Sequence, residues 1–186
     1  MDSSFNRSVD TTGNVTRLEE RRRFEASCMP FQADLFRFIY WLCRDRTLTE
    51  DVMQETLLRA WRSIDTLGDD KAARPWLLTI ARRELARVFE RKRFKTIDLD
   101  TAHETEQEAL AIHDRHEVEE MRRAIMRLDL QHREPLVLQV LLGYSTEEIA
   151  QQLQLSLPAV LTRLYRARQI LRKQLLGDTC DAEPRV

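Results

Sequence analysis

The sequence predicts an all-α protein, and three observations carry that reading. Glycine is confined to Gly13, Gly68, Gly143 and Gly177 in 186 residues. Apolar residues recur at spacings of three and four. No long run alternates apolar with polar side chains, as a half-buried strand would. With 42% hydrophobic residues the chain can fill one ordinary core or two small ones.

Residues 1–23 are polar, rich in Ser, Thr and Asn, and read as a mobile tail ending in Glu19, Glu20 and Arg21 to Arg23. In PFQADLFRFIYWLCR, Phe31, Leu35, Ile39 and Leu42 share one helical stripe, and Phe36, Phe38, Tyr40 and Trp41 widen it, so this helix must be largely buried. Thr47 with Glu50 fits a capping box, and Met53, Leu57, Ala60 and Ile64 then point inward. That leaves Asp51, Gln54, Glu55, Leu58 and Arg62 facing elsewhere. RSIDTLGDDKAAR is a loop, and Pro75 suits the first turn of the helix carrying Trp76, Leu77, Ile80, Leu85 and Phe89. A first unit therefore spans 24–95.

Residues 96–114 read as an acidic linker that reaches roughly 65 Å if extended, close to two turns of DNA. Periodicity returns with Met121, Ile125 and Leu128, Asp129 is placed to cap the next helix, and Leu136 to Leu142 is strongly apolar. Ser145 and Glu148 form a capping-box pair opening a short helix with Ile149, Ala150 and Leu153 inward. After a turn at Leu155, Ser156 can cap a further helix with Val160, Leu164, Ala167 and Leu171 inward. Two short helices joined by a tight turn make a helix-turn-helix pattern, which closes a second unit over 115–176 and leaves 177–186 as a tail.

Charge is segregated although the formal total is −1. Residues 71–95 hold nine basic against two acidic side chains, residues 96–120 hold one basic against nine acidic, and 157–175 hold Arg163, Arg166, Arg168, Arg172 and Lys173 with no carboxylate. Two basic helices on tethered units make a bivalent reader of a polyanion, because the second contact forms at high effective concentration. The outward side chains of the last helix, Pro158, Leu161, Thr162, Tyr165, Arg166, Gln169 and Arg172, mix apolar, hydroxyl and guanidinium groups suited to a major groove.

Other chemistries find little support. No run approaches a membrane span and the amino terminus lacks a signal pattern, which points to a cytoplasmic protein. Cys28, Cys43 and Cys180 suit reduced thiols, and His113 with His116 lacks the Cys partners of a metal site. No paired carboxylates, Ser/His/Asp set or phosphate-cradling Gly loop is evident, so neither an enzyme nor a cofactor is expected.

Three segments stand in order around the acidic stretch: TEDVMQETLLRAW (49–61), PWLLTIARRELARVFERKR (75–93) and HREPLVLQVLLGYSTEEIAQQLQLSLPAVLTRLYRARQILRKQL (132–175). On these residues the chain resembles the extracytoplasmic-function sigma factors, the small two-domain group of the sigma-70 family that directs bacterial RNA polymerase to promoters. The resemblance implies a sigma2-like unit and a sigma4-like unit. Asp51, Gln54, Glu55 and Leu58 would grip the clamp helices of core polymerase, and the second unit would meet its flap. Asp65 to Arg74 would hold an unstacked base, beside the minus-10 contacts Trp76, Arg82, Arg83, Arg87 and Arg91. Pro158, Leu161, Thr162, Arg163, Tyr165 and Arg166 would read the minus-35 element, the acidic linker would thread toward the active-site and RNA-exit channels, and an anti-sigma factor would clasp both units.

The sequence departs from the family pattern in places that bear on specificity. Arg83 and Arg87 stand where many members carry Asn and Asp. Ala159 and Leu161 replace a frequent Thr and a frequent basic residue, so Leu161 offers an apolar contact in place of a charged one. Gln154 occupies a turn position often held by Gly, at a cost of about 1 kcal/mol if that turn is left-handed. Two rival readings are a sigma-like adaptor that sequesters an anti-sigma protein without reading DNA, and a conventional repressor or activator. The first has no need of the two basic surfaces, and the second would need a dimerisation element that the sequence does not show.

Overall fold

A computed structural model describes residues 11–96 and 116–176, and all regular structure among them is helical. The helices are α1 (Thr11–Ser27), α2 (Gln32–Cys43), α3 (Arg46–Arg62), α4 (Ala73–Thr96), α5 (His116–Arg127), α6 (Leu130–Val140), α7 (Thr146–Leu153) and α8 (Leu157–Leu176). Short 3-10 turns at Met29–Phe31, Ile64–Thr66 and Asp70–Ala72 join the first four. The linker expected at 96–114 lies outside the described residues but for Thr96, which closes α4. Residues 1–10, His113 and the 177–186 tail also lie outside.

Helix α1 reaches back to Thr11, into the segment that polarity alone marks as a tail. Its last turns are anchored: Phe24 is buried and meets Trp61 edge to face at 5.4 Å. Arg23 donates to Asp70 at 2.9 Å and to the Leu67 carbonyl, tying α1 to the loop before α4. A single aromatic and a single arginine are too sparse a pattern to show a buried stripe.

Helix α2 buries Leu35, Phe38, Ile39 and Leu42, each at 2% exposure or less, against α3 and α4. Full burial of such side chains stabilises by about 1.5–3 kcal/mol apiece, so α2 is the spine of the first unit. It stops where Arg44 turns left-handed at φ 64°, its amide bonded to the Tyr40 carbonyl. The cap of α3 is Asp45, two residues before the Thr47 expected from the sequence. Asp45 has extended geometry and accepts from the Leu48 amide at 2.9 Å, while Glu50 pairs with Arg46 at 3.2 Å instead of closing a box. Buried Thr49 and Thr56 donate to the carbonyls of Asp45 and Val52, so their hydroxyls need no other partner.

In the second unit α8 is the hub, packing on α5, α6 and α7 through Val160, Leu164, Ala167 and Leu171. Asp129 stands at the α6 cap position, but its backbone carbonyl, not its side chain, takes the His132 and Arg133 amides. The chain leaves α6 through Gly143 at φ +72°, and the Tyr144 amide bonds back to the Leu138 carbonyl at 3.0 Å. This closure fits a left-handed residue that glycine adopts without a Cβ penalty. The expected Ser145–Glu148 box is present, with bonds of 3.2 and 2.8 Å, and Ser156 accepts from the Ala159 amide at 3.4 Å to start α8.

The sequence suggests two helical units joined by a linker, and in the structure their buried residues also meet in one core cluster. Helix α6 lies on α2, and the buried cluster runs from Leu35, Phe38 and Ile39 through Leu136 and Leu138 to Ile149 and Leu164. Neither unit alone covers the apolar run of α6, so closure removes it from water.

Candidate nucleic-acid and polymerase interfaces

Three surfaces collect the residues singled out by sequence. On α3, Asp51, Gln54 and Leu58 are exposed at helical spacings of three and four, Leu58 at 49%. Glu55 is half-buried, because it pairs at 2.8 Å with Arg59, which also lies 2.8 Å from buried Glu84 of α4. A leucine left half in water among polar neighbours is a surface that gains by being covered.

Helix α4 carries the second set. Trp76 is half-buried in the cluster with Phe24, Cys28 and Leu77. Arg83 and Arg91 are exposed, and Arg87 pairs with Glu84 at 2.8 Å. Arg82 is committed across the units, its Nε 2.8 Å from Glu134 of α6. The loop before α4 is held by Asp69, which accepts from the Lys71 amide at 2.9 Å, and by Arg23 from α1.

Helix α8 presents the third set. Leu161 and Tyr165 are 50% and 62% exposed, and Pro158, Thr162 and Arg166 are exposed beside them. Thr162 donates its hydroxyl to the Pro158 carbonyl at 2.8 Å. Arg163 is half-buried and its charge falls on Glu134. Arg168, further along, bonds Gln139 at 2.7 Å. The turn before α8 puts Gln154 at φ 56°, left-handed, with the Leu155 amide bonded to the Ala150 carbonyl at 2.9 Å.

What the sequence reading missed is the seam between the units. Arg133 is 6% exposed and donates to the carbonyls of Met126 and Leu42, each at 2.7 Å. Burial, reinforced by the nearby Arg44 charge, pushes its pKa down to about 10. Glu134 is likewise buried, and burial raises its carboxyl against the opposing pull of Arg82 and Arg163. Arg74 bonds Asp34 at 2.7 Å and the Leu142 carbonyl at 2.9 Å and lies 5.1 Å from the centre of the Tyr144 ring. Gln152 donates to the Pro75 carbonyl and the Thr79 hydroxyl, both at 3.0 Å. The signal available in sequence was the charged pair in HREPLVL, set directly against an apolar run.

The fold therefore defines a two-unit helical protein whose second unit is a helix-turn-helix module. Residues 29–95 match the family model for Sigma-70 region 2, and residues 118–171 match that for Sigma-70, region 4. The ECF RNA polymerase sigma factor SigL of Mycobacterium tuberculosis is 33% identical over 150 residues, covering 77% of this chain and 83% of that protein. The ECF RNA polymerase sigma factor SigX of Bacillus subtilis is 29% identical over 154 residues, covering 78% and 79%. Among solved structures, the sigma factor RpoE in complex with the anti-sigma factor NepR from Bartonella quintana superposes with a TM-score of 0.68 at 25% identity, over 83% of this chain and 98% of that one. CnrH in complex with the cytosolic domain of CnrY shares the fold, with a TM-score of 0.61 at 23% identity over 88% and 98%. The chain belongs to the sigma-70 family, as a sigma factor of the extracytoplasmic-function group. It is an alternative sigma factor, a transcription initiation factor that directs RNA polymerase to promoters, and not an enzyme.

Proposed function

We propose that the three surfaces divide the work of initiation. The α3 face of Asp51, Gln54, Glu55 and Leu58 takes core polymerase, at its clamp helices. The loop 65–74 and α4, with Trp76, Arg82, Arg83, Arg87 and Arg91, take the minus-10 element. The second unit meets the flap and reads the minus-35 element through Pro158, Leu161, Thr162, Arg163, Tyr165 and Arg166. The observation that carries this division is that the outer faces of α3 and α8 stay exposed while the units are closed on each other. No helix among the described residues is long and apolar enough to cross a membrane, and we place the protein with its polymerase in the cytoplasm.

The closed packing has a consequence for the order of events. Two elements about two turns of duplex apart stand about 70 Å from each other, whereas α4 and α6 touch through Arg82 and Glu134. Opening of the seam therefore accompanies promoter engagement, and it releases Arg82. Once a base is flipped from the minus-10 strand, at a cost of a few kcal/mol, a fitted site for it makes strand opening selective. The relative RpoE is seen with an anti-sigma factor; we infer a partner of that kind for this chain, clasping both units.

Two substitutions test the division. Arg166→Ala reduces transcription from the cognate promoter by tenfold or so, as loss of one good base or phosphate contact does, and leaves polymerase pull-down unchanged. Gln54→Ala with Leu58→Ala weakens the pull-down itself. Loss of polymerase binding in the Arg166 variant, or full binding in the double variant, rejects the assignment.

A further inference from the structure

The proposed reading of the minus-35 element leaves open what chemistry α8 reads, and the structure bears on that. Flanking its core residues Val160, Leu164 and Ala167 on one side, α8 carries Leu157, Leu161 and Tyr165 at 38%, 50% and 62% exposure. They follow one another at i, i+4 and i+8, so they form a single ridge along the first two turns. Apart from the Tyr165 hydroxyl at the end of the ridge, hydrogen-bonding groups that could read base edges from this stretch are depleted. The Thr162 hydroxyl spends its proton on the Pro158 carbonyl, which leaves its methyl group as the other branch. Arg163 is half-buried with its charge on Glu134. Pro158 has no amide proton and Ala159 no polar side chain.

What covers this ridge is indicated by its surroundings. From Leu157 to Leu176 α8 has no carboxylate, and Arg166 and Arg172 are exposed along it. An apolar ridge with cationic flanks complements the floor of a major groove, where phosphates line the rim and the thymine C5-methyl is the one apolar group on a base edge. We propose that Leu161, supported by Leu157, the Thr162 methyl and Tyr165, recognises thymine methyl groups in the upstream promoter element, with Arg166 holding the backbone or a guanine alongside. Specificity at those positions is then a matter of shape and desolvation, not of donors and acceptors.

Deoxyuridine provides a test that changes nothing but the methyl. The upstream element is first selected from a randomised duplex library by holoenzyme reconstituted with the full chain. Each thymine is then replaced in turn by deoxyuridine, and holoenzyme binding is measured by competition. At one or two positions the replacement weakens binding about three- to fivefold, the size of one buried methyl group. Leu161→Ala lowers affinity for the thymine duplex to that of the uracil duplex and loses the discrimination; Leu161→Met retains it. Arg166→Ala weakens binding to both duplexes alike. Indifference to deoxyuridine at every position, or discrimination that survives Leu161→Ala, overturns the proposal. Equal weakening of both duplexes by Leu161→Ala also overturns it, and would assign the ridge to a protein partner. Selection that enriches no upstream element defeats the reading of α8 as a DNA reader, and this inference with it; an enriched element indifferent to its methyls defeats this inference alone.

Discussion

Gln154 shows how one side chain bears on the reader's foundation. Its φ of 56° is left-handed, where a Cβ costs about 1–2 kcal/mol that glycine avoids. Glycine in turn gives up about 0.4–1 kcal/mol through the entropy of the unfolded chain. Gln154→Gly therefore stabilises the protein by a net of about 0.5 kcal/mol, read as a higher midpoint in urea at unchanged slope. A lower midpoint would mean that the glutamine side chain supplies a contact larger than the strain. The sequence marked this position only through comparison with a family habit; the backbone geometry that gives it an energetic meaning is not a property of the residue type.

At the scale of elements, amphipathic stripes were legible wherever apolar side chains repeat, which is why α2 and the α7–α8 pair stand where spacing puts them. The Ser145–Glu148 box was legible for the same reason, since both its partners lie within one turn. Misses came where a short-range rule had competitors. Asp45 took the α3 cap because the left-handed Arg44 delivers it in extended geometry, and Glu50 was drawn to Arg46. The packing of α6 on α2 and α4 was not legible, because it depends on Arg133 and Arg82 finding partners more than fifty residues away. This α6 contact also carries a pH dependence. The Glu134 carboxyl is raised above its ordinary 4.5 by burial, opposed by Arg82 of α4 and Arg163 of α8. Its contribution to closure is full below the ordinary value and is lost as pH rises through the raised folded one. Fluorophores on α3 and α8 of the free protein should report a more open population as pH is raised through that window, and Glu134→Gln, neutral throughout, should flatten the response. A pH-independent wild-type distance would mean that the two arginines cancel the effect of burial.

Over the whole molecule, near-neutral net charge conceals two basic surfaces. Buried Arg133 donates its two terminal nitrogens to carbonyls but leaves its Nε without a partner, and Glu134 pairs with Arg82, so the seam is specific, yet each buried charge carries a desolvation cost that makes it openable. The polymerase contact we propose for α3 would not compete with that seam, because Asp51, Gln54 and Leu58 are exposed in the closed form. The central claim is that the chain, on core polymerase, selects start sites through both units at once. It is tested most directly by transcription in vitro with purified core RNA polymerase, this chain and a library of randomised promoters. The account predicts start sites that depend on the chain and share two elements about two helical turns apart. Transcripts no different from those of core enzyme alone, or start sites sharing a single element, would contradict it.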